Sequence, residues 1–560
     1  MGSFGGSFVK RKDIIPARIL IGLAFLALLP RLVNLGSFSM WFDEVAETLQ
    51  ASGSLASTWG ELKSDVVHPP LEGLLTWGVL HLGIDETTRR LVPIAFGVAT
   101  ILLLASWTAR RFGRIAGVAA GLFAACAPVH VHYSQELRPY ALALLFTALA
   151  VLAADRALDR IAGRRGRRLC LAALALLGCL YSLYFAALVL AFVGWLILDT
   201  AVTGPPEEAG RARRALAWSP ALLLGVGLAY LPWLSTALAM RHRRIEHVAN
   251  HWRWGGVVER WQALTVGSGT SASGWGGAVA LLLVLLGITR AVRTAAGRAV
   301  LAAALCGTVG VELLLLHANH WSSPRYDLIG WLFLPVLAGM GADLLARLPG
   351  VRVPSEITAM PAMPAITAAV LLLLVSAQAL GIVRDHHLRE DWRRMAEAVD
   401  QIWRPGEPVL TQNRSTNTLL LYYLRELHSP AAAAVASVAG SHLWLARAWP
   451  EDRCALLVLR KGGQTGRVVG LTQDADELVR YPAGGARLRL LTPQFRDRLF
   501  RLHGERSLGR AAPQALTLHC ERELPPELRV SRVDRPYDPL LRLVGLRTSA
   551  PAGDVTAARR

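Results

Sequence analysis

Charged residues are scarce in this sequence. Asp, Glu, Lys and Arg make up 18% of the 560 residues, 53% of the residues are hydrophobic, and the mean hydropathy is +0.36. Because about a quarter of the residues in soluble domains are charged, this composition argues against an ordinary soluble protein and indicates an integral membrane protein. The apolar runs lie mainly in residues 1–383, which we interpret as one membrane domain. Residues 384–560 are arginine-rich and mixed in character, and we predict that they form a soluble C-terminal α/β domain.

Cysteine is also scarce and lacks a metal-binding spacing. The six cysteines include no C-x-x-C pair, which argues against a cysteine-based metal site. Four of them lie inside apolar runs, where a buried cysteine is ordinary packing. Cys454 and Cys520 are the two in the C-terminal domain, and whether they form a disulfide is left open. The first apolar run also lacks a signal-peptide cleavage site, so we interpret it as an uncleaved span.

The net charge of +19 does not by itself indicate a nucleic-acid partner. In the membrane domain, Lys and Arg lie largely in the N-terminal tail and in alternate loops between apolar runs. In the C-terminal domain they are interleaved with acids. A nucleic-acid-binding surface would need a continuous basic stripe instead. We therefore predict membrane lipid as a partner and no nucleic acid.

Eleven apolar segments are predicted to cross the bilayer, which takes about 20 residues of helix. They are residues 16–35, 91–109, 115–133, 139–154, 169–184, 185–202, 215–235, 275–289, 299–317, 326–346 and 360–383. With a cytoplasmic N-terminus, the loops ARRFGR, DRALDRIAGRRGRR, GPPEEAGRARR, TRAVRTAAGR and ARLPGVRVP all become cytoplasmic, as the positive-inside rule requires. Counting the short segment 70–83 as a span would move most of them outside, so we interpret it as an interfacial or buried helix. The C-terminal domain is then extracytoplasmic.

Two adjacent acids, Asp43 and Glu44, are the first charges after the first predicted span. One interpretation is a solvated loop in which Trp41 and Phe42 form an interfacial aromatic anchor. The other is a reaction site on the outer face, where a carboxylate takes a proton from a nucleophile that attacks an oxocarbenium-like carbon. The dipeptide alone favours the first interpretation.

The second outer loop, YSQELRPY, places Glu136, Arg138 and Tyr140 between two spans. A charge at this depth is costly and usually has a partner. One interpretation is a local ion pair between Glu136 and Arg138. The other is a catalytic or metal-assisting Glu136, with Arg138 bound to an anionic group. His68, in the earlier motif HPPL, either contacts a phosphate or caps the turn before a short helix.

Several basic residues of the outer loops suit an anionic ligand. Arg325 and Tyr326 open the tenth predicted span, where a guanidinium either bonds a lipid phosphate or snorkels to the interface. Arg241 and Arg244 form part of a basic run in an outer loop, which breaks the charge rule and favours an anionic ligand. Histidines of the outer loops leave a metal site open, with the metal unknown: His130, His132, His317 and His320.

The order of four motifs resembles a known family. SMWFDE, HPPL, YSQELRPYAL and PRYDLIGWLFLP, in this order, resemble bacterial members of the dolichyl-phosphate-mannose–protein mannosyltransferases. This glycosyltransferase family 39-like group has the GT-C fold and is related to the lipid A aminoarabinose transferases. The resemblance covers about the first 345 residues. The absence of a WWD tripeptide leaves the oligosaccharyltransferase branch unsupported.

The resemblance implies an all-α membrane bundle of GT-C type in the bacterial inner membrane, with interfacial helices in the first outer loop and a periplasmic C-terminal domain. It implies inverting transfer of a hexose or pentose from a polyprenyl-phosphate donor to an acceptor glycan, lipid or protein. Asp43 matches the catalytic base or acceptor-binding acid, with Glu44 beside it, and Glu136 matches a further acid. Arg138 and Arg325 match positions suited to the donor phosphate. A divalent cation is left open as a cofactor.

Two alternatives to an enzyme remain open at this point. A carrier or flippase for lipid-linked sugars would predict paired repeats and charges near the bilayer midplane. The sequence shows no obvious repeat, and its outer-loop charges gather at one face. The second alternative is a non-catalytic relative that binds glycans through its outer domain.

Overall fold

The computed structural model of the chain describes ten segments. They are residues 14–157, 165–239, 254–317, 323–348, 365–388, 392–402, 409–411, 414–437, 454–458 and 487–491. Helices dominate the part that precedes residue 389. The helices are α1 (Ala17–Leu32), α2 (Phe42–Gln50), α3 (Leu55–Asp65), α4 (Leu71–His81), α5 (Glu86–Arg89), α6 (Leu91–Phe112), α7 (Arg114–Cys126), α8 (Pro128–Ser134), α9 (Pro139–Ala157), α10 (Arg165–Ser182), α11 (Leu188–Thr203), α12 (Pro206–Ala239), α13 (Trp254–Thr265), α14 (Ser273–Ala291), α15 (Ala295–Leu305), α16 (Val311–His317), α17 (Leu328–Trp331), α18 (Leu334–Leu345), α19 (Ala365–Leu388), α20 (Trp392–Ile402) and α21 (Arg414–Glu426).

Many of these helices are membrane spans by length and composition. Seven helical stretches of the described chain are long and apolar enough to cross a bilayer, and two bent pairs bring the number to nine if each pair is one span. The two remaining predicted segments fall on α1, which has only 16 residues, and on α10, whose 18 residues include three arginines. The prediction of a helical, multi-span membrane protein is confirmed, and the number eleven stays a prediction.

Prolines explain both bent pairs. α7 and α8 meet at an angle of 62°, and Pro128 is the first residue of α8. The stretch Pro324–Trp331 meets α18 at 49°, with Pro335 in the first turn of α18. Proline has no backbone N–H and disfavours helix in the residue before it, but it fits the first turn of a new helix. In each pair, one helix therefore ends and a second begins inside what would otherwise be a single span.

Small residues allow the spans to pack closely. A Cβ atom on Gly341 of α18 would lie 1.9 Å from the carbonyl oxygen of Leu283 in α14. A Cβ atom on Gly287 of α14 would lie 1.9 Å from the carbonyl oxygen of Leu337. Helices in membranes associate largely through such close backbone approach, because lipid offers little hydrophobic driving force between them. These two glycines thus seat α14 against α18.

Two of the predicted cytoplasmic loops meet each other and the end of α18. Arg290, in the last turn of α14, donates from Nη2 to the carbonyl oxygen of Phe112 at 2.7 Å and pairs with Asp343 near the end of α18. Phe112 ends α6 within ARRFGR, and Arg290 belongs to TRAVRTAAGR. This arrangement agrees with the alternation assigned from the positive-inside rule.

The described chain divides into two compact units. One comprises the described residues of 1–35 and 50–385, and the other those of 36–49 and of 386–543. In the second unit, β1 (Val409–Thr411), β2 (Val435–Ser437), β3 (Cys454–Val458) and β4 (Arg487–Leu491) form a parallel sheet in the order β2-β1-β3-β4. The segment 36–49, from the first outer loop, therefore groups with residues far along the chain. The question of a Cys454–Cys520 disulfide lies outside the described residues, because Cys520 does.

Candidate active site

The loop that contains YSQELRPY is a tight, buried turn between α8 and α9. Pro128 starts α8, which ends at Ser134, and Pro139 starts α9. Only four residues therefore join the two helices. Glu136 and Arg138 expose 5% and 6% of their surface, and Tyr140 exposes 2%. Charged residues are almost never buried to this extent without a partner or a function. The structure therefore encloses the three residues that the YSQELRPY motif singled out.

A network of buried arginines holds this turn in place. Arg31 of α1 donates from Nη1 to the carbonyl oxygen of Ala125 at 3.0 Å, and its Nη2 lies 2.6 Å from Nδ1 of His130. The amide of Gln135 donates to the carbonyl oxygen of Arg31 at 2.9 Å, and Arg90 donates to the carbonyl oxygen of Gln135 at 3.0 Å. Sequence reasoning missed Arg31 and Arg90, although an arginine inside an apolar run was the available signal.

Glu136 pairs with a histidine rather than with Arg138. Its Oε1 lies 2.7 Å from Nε2 of His132, one turn earlier, while Nδ1 of His132 lies 2.9 Å from Asp385 of α19. The local pair between Glu136 and Arg138, one interpretation of the sequence, is not what the structure shows. Oε2 of Glu136 is buried and has no hydrogen-bond partner among the described residues. A buried carboxylate oxygen without a partner is suited to accept a hydrogen bond from a ligand.

Aromatic residues and Arg325 surround the same turn. The rings of Tyr133 and Tyr140 meet edge to face at 4.8 Å. The Tyr133 hydroxyl lies near the side chains of Ser323, Glu136 and Arg325. The guanidinium of Arg325 lies over the ring of Tyr326 at 5.3 Å, which fixes its plane. The structure thus brings two of the four motifs, YSQELRPY and PRYD, close together.

His68 lies in the loop that joins α3 to α4. The prediction of a short helix after the two prolines is confirmed by α4, which starts at Leu71. Val66 ends α3 with a φ of 53°, a left-handed conformation that is strained for a β-branched residue, and its carbonyl oxygen accepts a hydrogen bond from the Tyr184 hydroxyl at 3.2 Å. His68 itself is half-buried. The loop is therefore held in a defined conformation.

The first acidic motif lies in the second unit, where residues 36–49 pack on helices of the C-terminal part. The backbone N–H of Met40 donates to the Tyr423 hydroxyl at 2.7 Å, and that of Trp392 donates to Oγ of Ser39 at 2.7 Å. Met40 and Trp392 are fully buried. The stretch that leads into Asp43 is thus anchored by residues more than 350 positions later in the sequence.

Asp43 and Glu44 play different parts in α2. Oε2 of Glu44 accepts a hydrogen bond from the backbone N–H of Trp41 at 3.1 Å, which is one half of a capping box, and Glu44 is 1% exposed. Its neighbour Asp43 is half-buried in the first turn of α2. The cap gives Glu44 a structural part in α2, and the catalytic roles of Asp43 and Glu44 stay predictions.

Replacing Glu44 by alanine is expected to destabilise α2 by about 1 kcal/mol, because the N–H of Trp41 loses its acceptor. Glu44→Gln keeps an acceptor oxygen and is expected to unfold within about 1 °C of wild type. Thermal unfolding of the purified protein in detergent measures both variants. Equal melting temperatures for Glu44→Ala and wild type would contradict the capping role.

A second buried cluster was missed by sequence reasoning. Nε of Arg260, on α13, lies 3.0 Å from a carboxylate oxygen of Asp327 in an ion pair, and Arg260 also pairs with Glu312. Asp327 is fully buried. Glu312 thereby acquires a partner that its position in an apolar run did not reveal. Two predicted phosphate-binding residues, Arg241 and Arg244, lie outside the described residues.

The described residues include no group of three or more His, Cys, Asp or Glu side chains arranged to hold a metal ion. His132 uses both ring nitrogens for two different carboxylates, so a metal ion would have to displace one of these bonds. His130 bonds Arg31 and stacks on Trp331 at 5.0 Å. The divalent cation that the sequence left open stays a prediction.

Comparison with known proteins was made for the sequence and for the fold. Residues 67–206 match the profile of the dolichyl-phosphate-mannose-protein mannosyltransferase family. No curated protein matches the sequence at a significant level. Among solved structures, ArnT from Cupriavidus metallidurans in the apo state is 14% identical, with a TM-score of 0.44 over 82% of this chain and 88% of that one.

Two further structures have similar scores. ArnT from the same organism bound to undecaprenyl phosphate is 14% identical, with a TM-score of 0.44 over 83% of this chain and 89% of that one. The archaeal oligosaccharyltransferase AglB from Archaeoglobus fulgidus, in complex with an inhibitory peptide and a dolichol-phosphate, is 11% identical, with a TM-score of 0.44 over 75% of this chain and 64% of that one. The segment 67–206, which contains HPPL and YSQELRPY, thus confirms the resemblance to the dolichyl-phosphate-mannose-protein mannosyltransferases that the motifs predicted.

Proposed function

We propose that this protein is an integral membrane glycosyltransferase that moves a hexose or pentose from a polyprenyl-phosphate donor to an acceptor, with inversion. The carrying observation is the buried turn of the family-matched segment, in which Glu136 keeps one oxygen without a partner among the described residues. We place the reaction on the outer face of the bacterial inner membrane, with a cytoplasmic N-terminus and a periplasmic C-terminal domain. The parallel sheet of the described C-terminal strands supports an α/β character for that domain.

The proposed reaction exchanges one glycosidic bond for another. The acceptor hydroxyl or amine forms a bond to the anomeric carbon as the bond between that carbon and the phosphate oxygen breaks. The electron pair of the broken bond leaves with polyprenyl phosphate, and the acceptor proton passes to a carboxylate. Attack from the face opposite the phosphate inverts the anomeric carbon. This chemistry needs a base and cations that stabilise the leaving phosphate.

Asp43 is the proposed base, and Glu136 is the proposed second acid. Asp43 is half-buried, whereas the neighbouring Glu44 is used as a helix cap. Arg138, Arg325, Arg241 and Arg244 are the proposed contacts of the donor phosphate, since a guanidinium offers paired N–H donors to phosphate oxygens. His68, Tyr140 and Tyr326 are proposed to line the donor site.

The function is tested by comparing a deletion strain with the same strain carrying the wild-type gene. We expect mass spectrometry of membrane lipids and surface glycans to show the loss of one sugar from one acceptor, restored by the wild type. The purified protein is then expected to transfer that sugar from its polyprenyl phosphate to the acceptor. Transport of the lipid-linked sugar across proteoliposomes without any transfer would replace the enzyme by a carrier, and no change in any glycan would overturn the proposal.

A further inference from the structure

His132 lies between two carboxylates that are distant in sequence. Its Nε2 is 2.7 Å from Oε1 of Glu136, and its Nδ1 is 2.9 and 3.0 Å from the two carboxylate oxygens of Asp385. Glu136 follows His132 by four residues, whereas Asp385 lies 253 residues later, on α19. All three belong to the same compact unit. The chain Asp385–His132–Glu136 thus joins the last described span to the buried turn.

Close packing of α19 sets the position of Asp385. Gln378 donates from Nε2 to the carbonyl oxygens of Phe123 and Thr265 at 3.2 and 2.9 Å. A Cβ atom on Gly381 would lie 2.1 Å from the carbonyl oxygen of Val266 and 2.6 Å from Cγ of Pro128. Residues 378, 381 and 385 share one face of a helix, because they are spaced by three and four positions.

The same face of α19 runs along α8. Gly381 lies against Pro128, the first residue of α8, and Asp385 meets His132, four residues further on in both helices. One helical turn on α19 therefore matches one turn on α8. Asp385 is held by backbone contacts and by the two hydrogen bonds of Gln378, and it does not depend on a flexible loop for its position.

The hydrogen-bonding capacity of His132 explains how Asp385 affects Glu136. Carboxylates only accept hydrogen bonds, and an imidazole satisfies two of them when both ring nitrogens carry a hydrogen. Asp385 then fixes the plane of the ring, and the ring fixes Oε1 of Glu136. The remaining oxygen, Oε2, is buried without a partner among the described residues, in a side chain that is 5% exposed. Residues that orient a functional side chain through a hydrogen bond affect activity, because a reaction depends on the precise placement of that side chain.

We propose that Asp385 is a positioning residue that acts through His132, holding Glu136 so that Oε2 accepts a hydrogen bond from a hydroxyl or amine of the sugar or the acceptor. This inference rests on the proposed glycosyltransferase function and adds two residues to it, one of which lies outside every motif considered above. Asp385 does not touch the reacting atoms. It lies beyond His132, and its effect on the reaction is transmitted through the contacts of the two His132 nitrogens with Asp385 and Glu136.

The test uses the full-length protein and the transfer assay with its polyprenyl-phosphate sugar. Asp385→Asn keeps the size of the side chain and one acceptor oxygen, and Asp385→Ala removes both oxygens. We expect kcat to fall by about 10-fold in Asp385→Asn and by about 100-fold in Asp385→Ala, with KM for the donor within about twofold of wild type. Asp85→Asn is the matched control, because Asp85 is an exposed acid of the first outer loop, and it is expected to keep wild-type activity.

A double-mutant comparison separates positioning from general damage. If Asp385 acts through Glu136, Asp385→Asn is expected to cause no further loss in a Glu136→Gln background, because coupled residues are not additive. An equal loss in both backgrounds, or a kcat unchanged by Asp385→Asn, would overturn the inference. A donor KM that rises while kcat holds would also overturn it. An inactive wild-type protein would instead contradict the proposed function. Failure of the proposed function can therefore be distinguished from failure of the role given to Asp385.

Discussion

Asp43→Asn is expected to lower kcat for sugar transfer by about 10²–10⁴-fold, the usual contribution of a general base. Asparagine keeps the size of aspartate and one acceptor oxygen, but it cannot take a proton. The purified variant would be assayed with the polyprenyl-phosphate sugar and the acceptor identified in the deletion strain. Folding should be unchanged, because Asp43 is half-buried and the backbone before it is held by Tyr423 and Trp392.

Glu44→Gln is the matched control for Asp43→Asn. It removes the same charge from the adjacent position of α2 and keeps an oxygen for the N–H of Trp41. We expect it to retain transfer within about threefold of wild type, because its carboxylate is used as a cap. Full activity of Asp43→Asn would remove Asp43 from the mechanism. If Glu44→Gln lost as much transfer activity as Asp43→Asn, the loss would result from the changed charge of α2 and not from the removal of a base.

Glu136→Gln is expected to lower kcat by about 10²–10³-fold, as the removal of one transition-state hydrogen bond does in other enzymes. The amide oxygen of glutamine still faces His132, but an NH₂ group replaces Oε2, so the buried acceptor becomes a donor. The change keeps the volume of the side chain in a well-packed turn. Kinetics of the purified variant, with thermal unfolding as a check on folding, measure the effect.

Glu61→Gln is the control for Glu136→Gln. Glu61 is an exposed acid of α3, in the loop that follows the first predicted span, and its replacement likewise removes one negative charge. We expect wild-type activity and an unchanged melting temperature. If Glu136→Gln were as active as Glu61→Gln, the buried Oε2 would have no part in the reaction, and the role given to Asp385 would fall with it.

The sequence was a good guide to features that depend on neighbouring residues. Hydropathy located the spans because crossing a bilayer needs a continuous apolar helix, and this is a local property of the chain. The charge alternation of the loops predicted which ends lie together, and the bond from Arg290 to Phe112 agrees with it. The two prolines of HPPL predicted the short helix α4, since proline restricts the backbone locally.

The site was predicted only in part, because its partners come from remote segments. The motif YSQELRPY pointed to Glu136 and Arg138, and both are buried. The motif did not reveal that Glu136 bonds His132, and a Glu–Arg pair two residues apart was an equally good interpretation of it. Asp385 could not be assigned to the site, because it ends an apolar run with no motif around it and lies 253 residues from His132.

What the sequence by itself determined is the class of the protein: a helical, multi-span membrane chain with a few acidic and basic motifs in the loops between its spans. The tertiary structure decided which partners these side chains have. It assigned Glu44 to a helix cap and anchored the stretch before Asp43 through Tyr423 and Trp392. It also connected Glu136 to Asp385 through His132. The physical reason is that hydropathy and helix breaking act between neighbours, whereas a hydrogen bond between two helices exists only after both have packed.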